Sequence, residues 1–393
     1  MIRTLSPSLP GYRPPWVSYL VVALAVALGW GLRGVHGHER GGAIAGAIAG
    51  LSLAAVTGDP RWLGASVLGS LGFAIGGSLS YGRFVSIAAE GAWHGLLSLI
   101  LIGVAWGGLG GLVLGLGLAL PQYRNRERMV IGAGLLVVWG LIEFPTPVRM
   151  VGLSDLLTRD LLTLVLLGGW GMLTAYLGVW KQDRRSLQLG LAGAVGFGIG
   201  FPLAAWVQGV GQMTGVALDW WKVAEHLIGA CGGLALALMA CRFHEGWVPP
   251  KGIGPWERWG ACAWVLWVIP AWALANDLAY WTTERAVLSR ATADVIVGIV
   301  WVGLAAFALF GAQEIRRGRY FTISWFPHQL RALFLTFVWM VTAIGILKTL
   351  LPDGWSSWGP TQTTFLGLAA AVTLLLPKPP HHWRPAAPSP AAQ

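Results

Sequence analysis

Apolar runs separated by short polar breaks dominate this chain. Twelve of them are long enough to cross a bilayer as helices: 16–32, 41–57, 62–80, 95–119, 129–148, 161–180, 187–208, 223–241, 259–276, 293–311, 330–351 and 360–377. A spanning helix needs roughly 17–25 such residues. The pattern therefore predicts an all-α, polytopic integral membrane protein of about twelve transmembrane helices. The fourth run is less regular. Its apolar stretch, 84–120, exceeds one span and is broken by Gly107-Gly108-Leu109-Gly110-Gly111, so it predicts a short interfacial or re-entrant piece before the main helix.

The charges test the count. With the N-terminus placed in the cytoplasm, the tails and even-numbered loops carry 18 of the 27 Lys and Arg, including Arg124, Arg126, Arg128, Lys181, Arg184 and Arg185. Acidic residues run the opposite way, 11 of 17 falling on the other side. The positive-inside rule then places both termini in the cytoplasm and requires an even number of spans. The reading is a cytoplasmic tail (1–15), a transmembrane domain (16–377) and a Pro/Ala-rich disordered cytoplasmic tail (378–393). Two six-helix halves, 16–180 and 187–377, are a further expectation. It rests on a loose echo between GHERGGAIAGAIAGLSLA (37–54) and WKVAEHLIGACGGLALAL (221–238). The implied location is the inner or plasma membrane of a prokaryote.

Composition agrees with this class. Charged residues make up 11% of the chain, against about 25% in soluble domains. The chain is glycine-rich and tryptophan-rich, with 56 Gly and 24 Trp. Glycine lets spanning helices approach closely, and several tryptophans sit at segment ends, where interfacial anchors belong. The net charge of +10 matches basic loops beside anionic lipid. No basic-aromatic module accompanies it, so nucleic acid is not an expected partner. Cys231, Cys241 and Cys262 have no paired spacing and indicate neither a disulfide framework nor a zinc site.

The most informative break is GLRGVHGHERGG (31–42), which places two arginines, two histidines and a glutamate between two uncharged apolar runs. Ionisable groups beside a bilayer cost several kcal/mol unless they pair or face water. Other polar groups collect on the same, outer side. Tyr81, Arg83, Glu90 and His94 follow the third span, and Glu90 and His94 would share a helix face. Glu143 precedes the Phe144-Pro145-Thr146-Pro147 break. Gln208, Gln212, Asp219, Lys222, Glu225 and His226 surround the start of the eighth span. Asn276, Asp277, Glu284 and Arg285 form a weaker set.

These residues define the expected site. Arg33, His36, His38, Arg40 and Arg83 are the expected substrate-binding groups, since arginine offers a carboxylate or phosphate two parallel bonds. Glu39, Glu90, His94, Glu143, Glu225 and His226 are the expected proton-coupling groups or general bases. No metal is expected, because ligands on one short loop such as His36-x-His38-Glu39 rarely close a tetrahedron. The sequence leaves any cofactor open. The leading expectation is a secondary transporter of a small polar or anionic solute, coupled to protons. The alternative is a membrane-embedded enzyme acting at the outer face on a lipid or lipid-linked substrate. The third reading is a non-catalytic subunit of a membrane complex. Expected partners are membrane lipid, the small-molecule or lipid-linked substrate and, for the third reading, other subunits.

Overall fold

A computed structural model describes residues 16–59, 61–79, 81–143, 155–243, 255–285, 288–316, 326–352 and 358–377. Both tails and the Phe144–Pro147 break lie outside the described residues. Every regular element described is helical. In chain order these are α1 (Trp16–His36), α2 (His38–Thr57), α3 (Trp62–Gly77), α4 (Gly82–Ala89), α5 (Trp93–Ala119), α6 (Asn125–Glu143) and α7 (Asp155–Ala175). There follow α8 (Arg184–Met213), α9 (Trp220–Phe243), a composite α10, α11 (Arg290–Arg316), α12 (Phe326–Leu350) and α13 (Pro360–Leu375). Helix α10 runs through Pro255–Ala263, a π-helical turn Trp264–Val268, Ile269–Ala279 and a second π turn Tyr280–Glu284.

Nine helices among the described residues are long and apolar enough to cross a membrane. The bent pair α3 and α4, turned by 62°, brings the number to 10 if counted as one span. Helix α13 is apolar but shorter. The expected short piece ahead of the fourth span is α4. The expected interruption at Gly107–Gly111 does not occur, because α5 runs unbroken through it.

The same glycines hold the centre together. Gly103, Gly107, Gly111 and Gly115 recur every fourth residue along one face of α5. A Cβ on each would run into α8 backbone at Phe197, Gly193, Leu189 and Ser186 in turn. Descending numbers on α8 make the pair antiparallel. Helix α2 does the same against α3, with Gly42, Gly46 and Gly50 on Phe73, Gly69 and Ser66. In lipid, where no hydrophobic effect drives helices together, this close approach supplies the packing. Gly229 and Gly233 of α9 meet Val26 and Val22 of α1 in a third antiparallel seam.

Helices α1, α2, α3, α5, α8 and α9 pack in sequence around a closed ring, α9 returning to α1. Aromatic side chains fill the interior. Trp30 stands 4.7 Å from Phe197, 4.8 Å from Trp106 and 5.9 Å from Phe201, centroid to centroid. Four of the ring helices come from residues 16–180 and two from 187–377, so the core crosses the boundary between the two expected halves. Helices α6 and α7 lie outside α5, while α10, α12 and α13 lie against α1 and α2. The row Leu191, Val195 and Ile199 on α8 and most of α11 are apolar and exposed, as surfaces in contact with lipid tails would be.

Helix α13 runs parallel to α9, since Asp219 meets Thr361 and His226 meets Phe365. Because α9 opposes α1, residues 16 and 377 lie at the same end of the bundle. That end also holds a polar junction. Asp183 caps α8, accepting bonds from the Ser186 N–H (3.2 Å), the Ser186 hydroxyl (2.6 Å) and the Tyr123 hydroxyl (2.8 Å). Burial and the adjoining Asp183 carboxylate keep the Tyr123 phenol protonated well above its ordinary range. Glu127 pairs with Lys181 there, and Asp59 with Arg61. Replacing Asp183 with alanine should destabilise the protein by ~1–2 kcal/mol, the usual loss for a helix cap, measurable by denaturation in detergent.

Candidate functional site

The island 31–42 is a corner rather than a loop. Helix α1 ends at His36 and α2 begins at His38, with only Gly37 between them at φ 71°. The corner sorts its polar residues by direction. Arg33 and His36 point inward and are buried, Glu39 and Arg40 are half-buried, and His38 is exposed.

Arg33 occupies the mouth of the aromatic ring. Its guanidinium carbon lies 4.7 Å from the Tyr81 ring centre and 4.8 Å from that of Trp106. Those rings stand 6.1 Å apart at 59°, so the cation rests in the angle between them. Such contacts contribute about 2 kcal/mol when desolvated. Only 7% of Arg33 is exposed, its Nε is buried without a partner, and no ion pair to it is formed among the described residues. Trp221 of α9 stacks on the other partner ring, Tyr81, at 16°.

Glu225 is a buried carboxylate on which the Arg33 charge acts. It accepts a bond from the Tyr81 hydroxyl (3.3 Å) and pairs with Lys222 one turn earlier on α9. Glycine makes the room: a Cβ on Gly34 would collide with the Glu225 carboxylate, and one on Gly31 with the His226 ring. His226 Nδ1 contacts the Lys222 carbonyl of its own helix, while its Nε2 is buried without a partner.

His36 belongs to a second group. Its Nδ1 lies 3.1 Å from Asp277 Oδ2, and Lys348 Nζ lies 2.7 Å from Asp277 Oδ1. The His36 and Asp277 side chains are fully buried. The Tyr280 ring lies 5.7 Å from the Lys348 ammonium. A third group forms where Glu143 meets Glu39, with Arg40 and Ser78 nearby.

Other expected residues go elsewhere. Glu90 and His94 do not share a helix face, because α4 ends at Ala89, Gly91 turns the chain at φ 82°, and α5 starts at Trp93. Glu90 and Arg83 are exposed. His94 instead meets Asp160 at 2.9 Å, and the Ser98 hydroxyl donates to the same carboxylate at 3.0 Å. This Ser–His–Asp grouping cannot activate a nucleophile, since the carboxylate takes both partners and the imidazole does not touch the hydroxyl. Asp219 accepts from the Lys222 N–H and the Thr361 hydroxyl, tying α9 to α13. Gln208 is buried, Gln212 exposed and Asn276 half-buried. No three His, Cys, Asp or Glu side chains among the described residues are arranged to hold a metal ion.

Sequence reading missed Lys348, Asp160 and Trp106 and ranked Asp277 too low. A lysine inside an apolar run, as at 348, is itself a signal, since such a charge needs an internal partner.

Fold and site together define a class: an all-helical integral membrane protein with ionisable groups buried at one end of its helices. Comparison with protein-family models, curated proteins and solved structures yields no match to this chain.

Proposed function

We propose that the protein is a proton-coupled secondary transporter of a small anionic solute. One observation carries this reading: Arg33 is buried in an aromatic angle with no acid bonded to it, beside a carboxylate already held by Lys222 and Tyr81. A guanidinium presents five N–H donors, and an incoming carboxylate or phosphate matches that fork. Protonating Glu225 removes the negative charge that competes for Arg33 and Lys222. Anion and proton would then bind together. In this reading all twelve apolar segments cross the bilayer, both tails are cytoplasmic, and the Arg33 end faces the outside of a prokaryotic inner or plasma membrane.

The test uses purified protein in sealed liposomes, with labelled phosphate and small mono- and dicarboxylates as probes. Glu225→Gln should abolish uptake driven by a pH gradient while leaving solute exchange in place. If both rates match wild type, Glu225 does not couple proton to solute.

A second reading is favoured by the depth of the site. Arg33 and His36 occupy the last turn of α1, and Glu225 lies within two turns of the start of α9. Transporter sites usually lie nearer the midplane. An enzyme acting on a lipid-linked phosphate at the outer face would suit shallow groups. It predicts product formation in detergent, without a sealed compartment.

A further inference from the structure

We infer that His36, Asp277 and Lys348 form a proton-binding site separate from Glu225. The inference rests on the transporter reading only for the use made of the proton. The three residues come from α1, α10 and α12, so the group joins the helix ring to the layer outside it.

Charge balance alone does not explain the group. Asp277 and Lys348 already neutralise each other. Buried ion pairs are weak contributors to stability, and apolar side chains of similar volume often serve as well. The histidine is surplus to that balance, yet its ring lies against the free oxygen of the aspartate, with both side chains closed off from the surface. Both ring nitrogens are buried and neither makes a hydrogen bond: Nδ1 has only the 3.1 Å carboxylate contact, and the opposite nitrogen, Nε2, has no partner at all. It lies on the side where α12 carries Gly345, at which a Cβ would come within 3.6 Å of it. The imidazole therefore has one nitrogen beside a carboxylate and one open position.

One proton taken up at the His36–Asp277 contact changes the group from net zero to +1, and its release restores neutrality. Imidazole is the side chain suited to that exchange near neutral pH. The charged and titratable groups facing the site are Asp277 and Lys348, with Tyr280 beside Lys348. Arg33 stands three residues earlier on α1, and residues at this spacing are neighbours on a helix surface. Proton uptake at His36 and anion binding at Arg33 are thus linked through one helix turn. Linkage of this kind changes affinity by about 5–150-fold and acts equally in both directions.

Nuclear magnetic resonance of histidine-labelled protein in detergent tests the inference. His36→Gln identifies the His36 signal by its loss. In the wild type that signal should shift with pH as the proton is taken up and released. Asp277→Asn and Lys348→Met should move its midpoint in opposite directions, each by at least about one pH unit, since one removes a negative and the other a positive neighbour. Glu225→Gln should leave it in place. The double variant Asp277→Asn with Lys348→Met keeps the interior neutral and guards against misfolding of the single variants; its midpoint should fall between theirs. A His36 signal that does not titrate, or one with the same midpoint in all the Asp277 and Lys348 variants, overturns the inference. Absence of liposome uptake would count against the transporter reading and leave this result standing.

Discussion

Replacing Arg33 with lysine should weaken binding of the proposed anionic solute by roughly 100-fold, the scale of losing a buried arginine anchor, while the protein folds as before. Lysine keeps the charge but loses the planar face that lies 4.7 Å from Tyr81 and 4.8 Å from Trp106. It also loses the fork that takes two oxygens at once. Alanine should do more, because it leaves a void beside the aromatic rings. Binding and uptake of labelled phosphate and small carboxylates, with thermal melting as a control, measure the effect. A lysine variant with wild-type affinity would show that a diffuse positive charge suffices, and the bidentate site would have to be abandoned.

The largest structural effect is expected at Gly107. Valine there should cost about 3 kcal/mol or more, at or beyond the upper end of ordinary overpacking, because the obstacle is α8 backbone at Gly193 rather than a side chain that can turn aside. The yield of monodisperse protein should fall sharply. Gly132 on α6 supplies the control, since nothing lies within 4 Å of a Cβ built there, and Gly132→Val should be nearly silent. If both variants purify and melt alike, the α5–α8 seam does not hold the core together.

Much of the fold is legible in the sequence because lipid imposes a simple rule. A backbone crossing hydrocarbon must bond internally, so long apolar runs become helices. Among the described residues each run lies mostly on helix, and the odd length of 84–120 resolves into α4 and α5. Two local rules misled. The glycine cluster at 107–111 looks like a break, yet it is a contact surface, because glycine that weakens a helix in water is tolerated where neighbouring helices press on it. The spacing of Glu90 and His94 suggests one helix face, yet the two residues flank a turn. At the site, Arg33 and Glu225 stand out as charges beside apolar runs. The His36–Asp277 contact does not, because its members are far apart in sequence. Two π turns also surround the segment carrying Asp277 and spoil any face drawn at a 3.6-residue period.

The glycine seams bear on which parts of the bundle can move. Between α5 and α8, and between α2 and α3, main chain touches main chain with no side chain between. Such joints have nothing that can swing aside, and a hydrated passage cannot open along them without pulling the helices apart. The boundary between α1 and the outer helices α10 and α12 is different: side chains, His36, Asp277 and Lys348 among them, line it. Movement between the sealed ring and the outer helices would therefore fall at that boundary, with the glycine-sealed ring moving as one body.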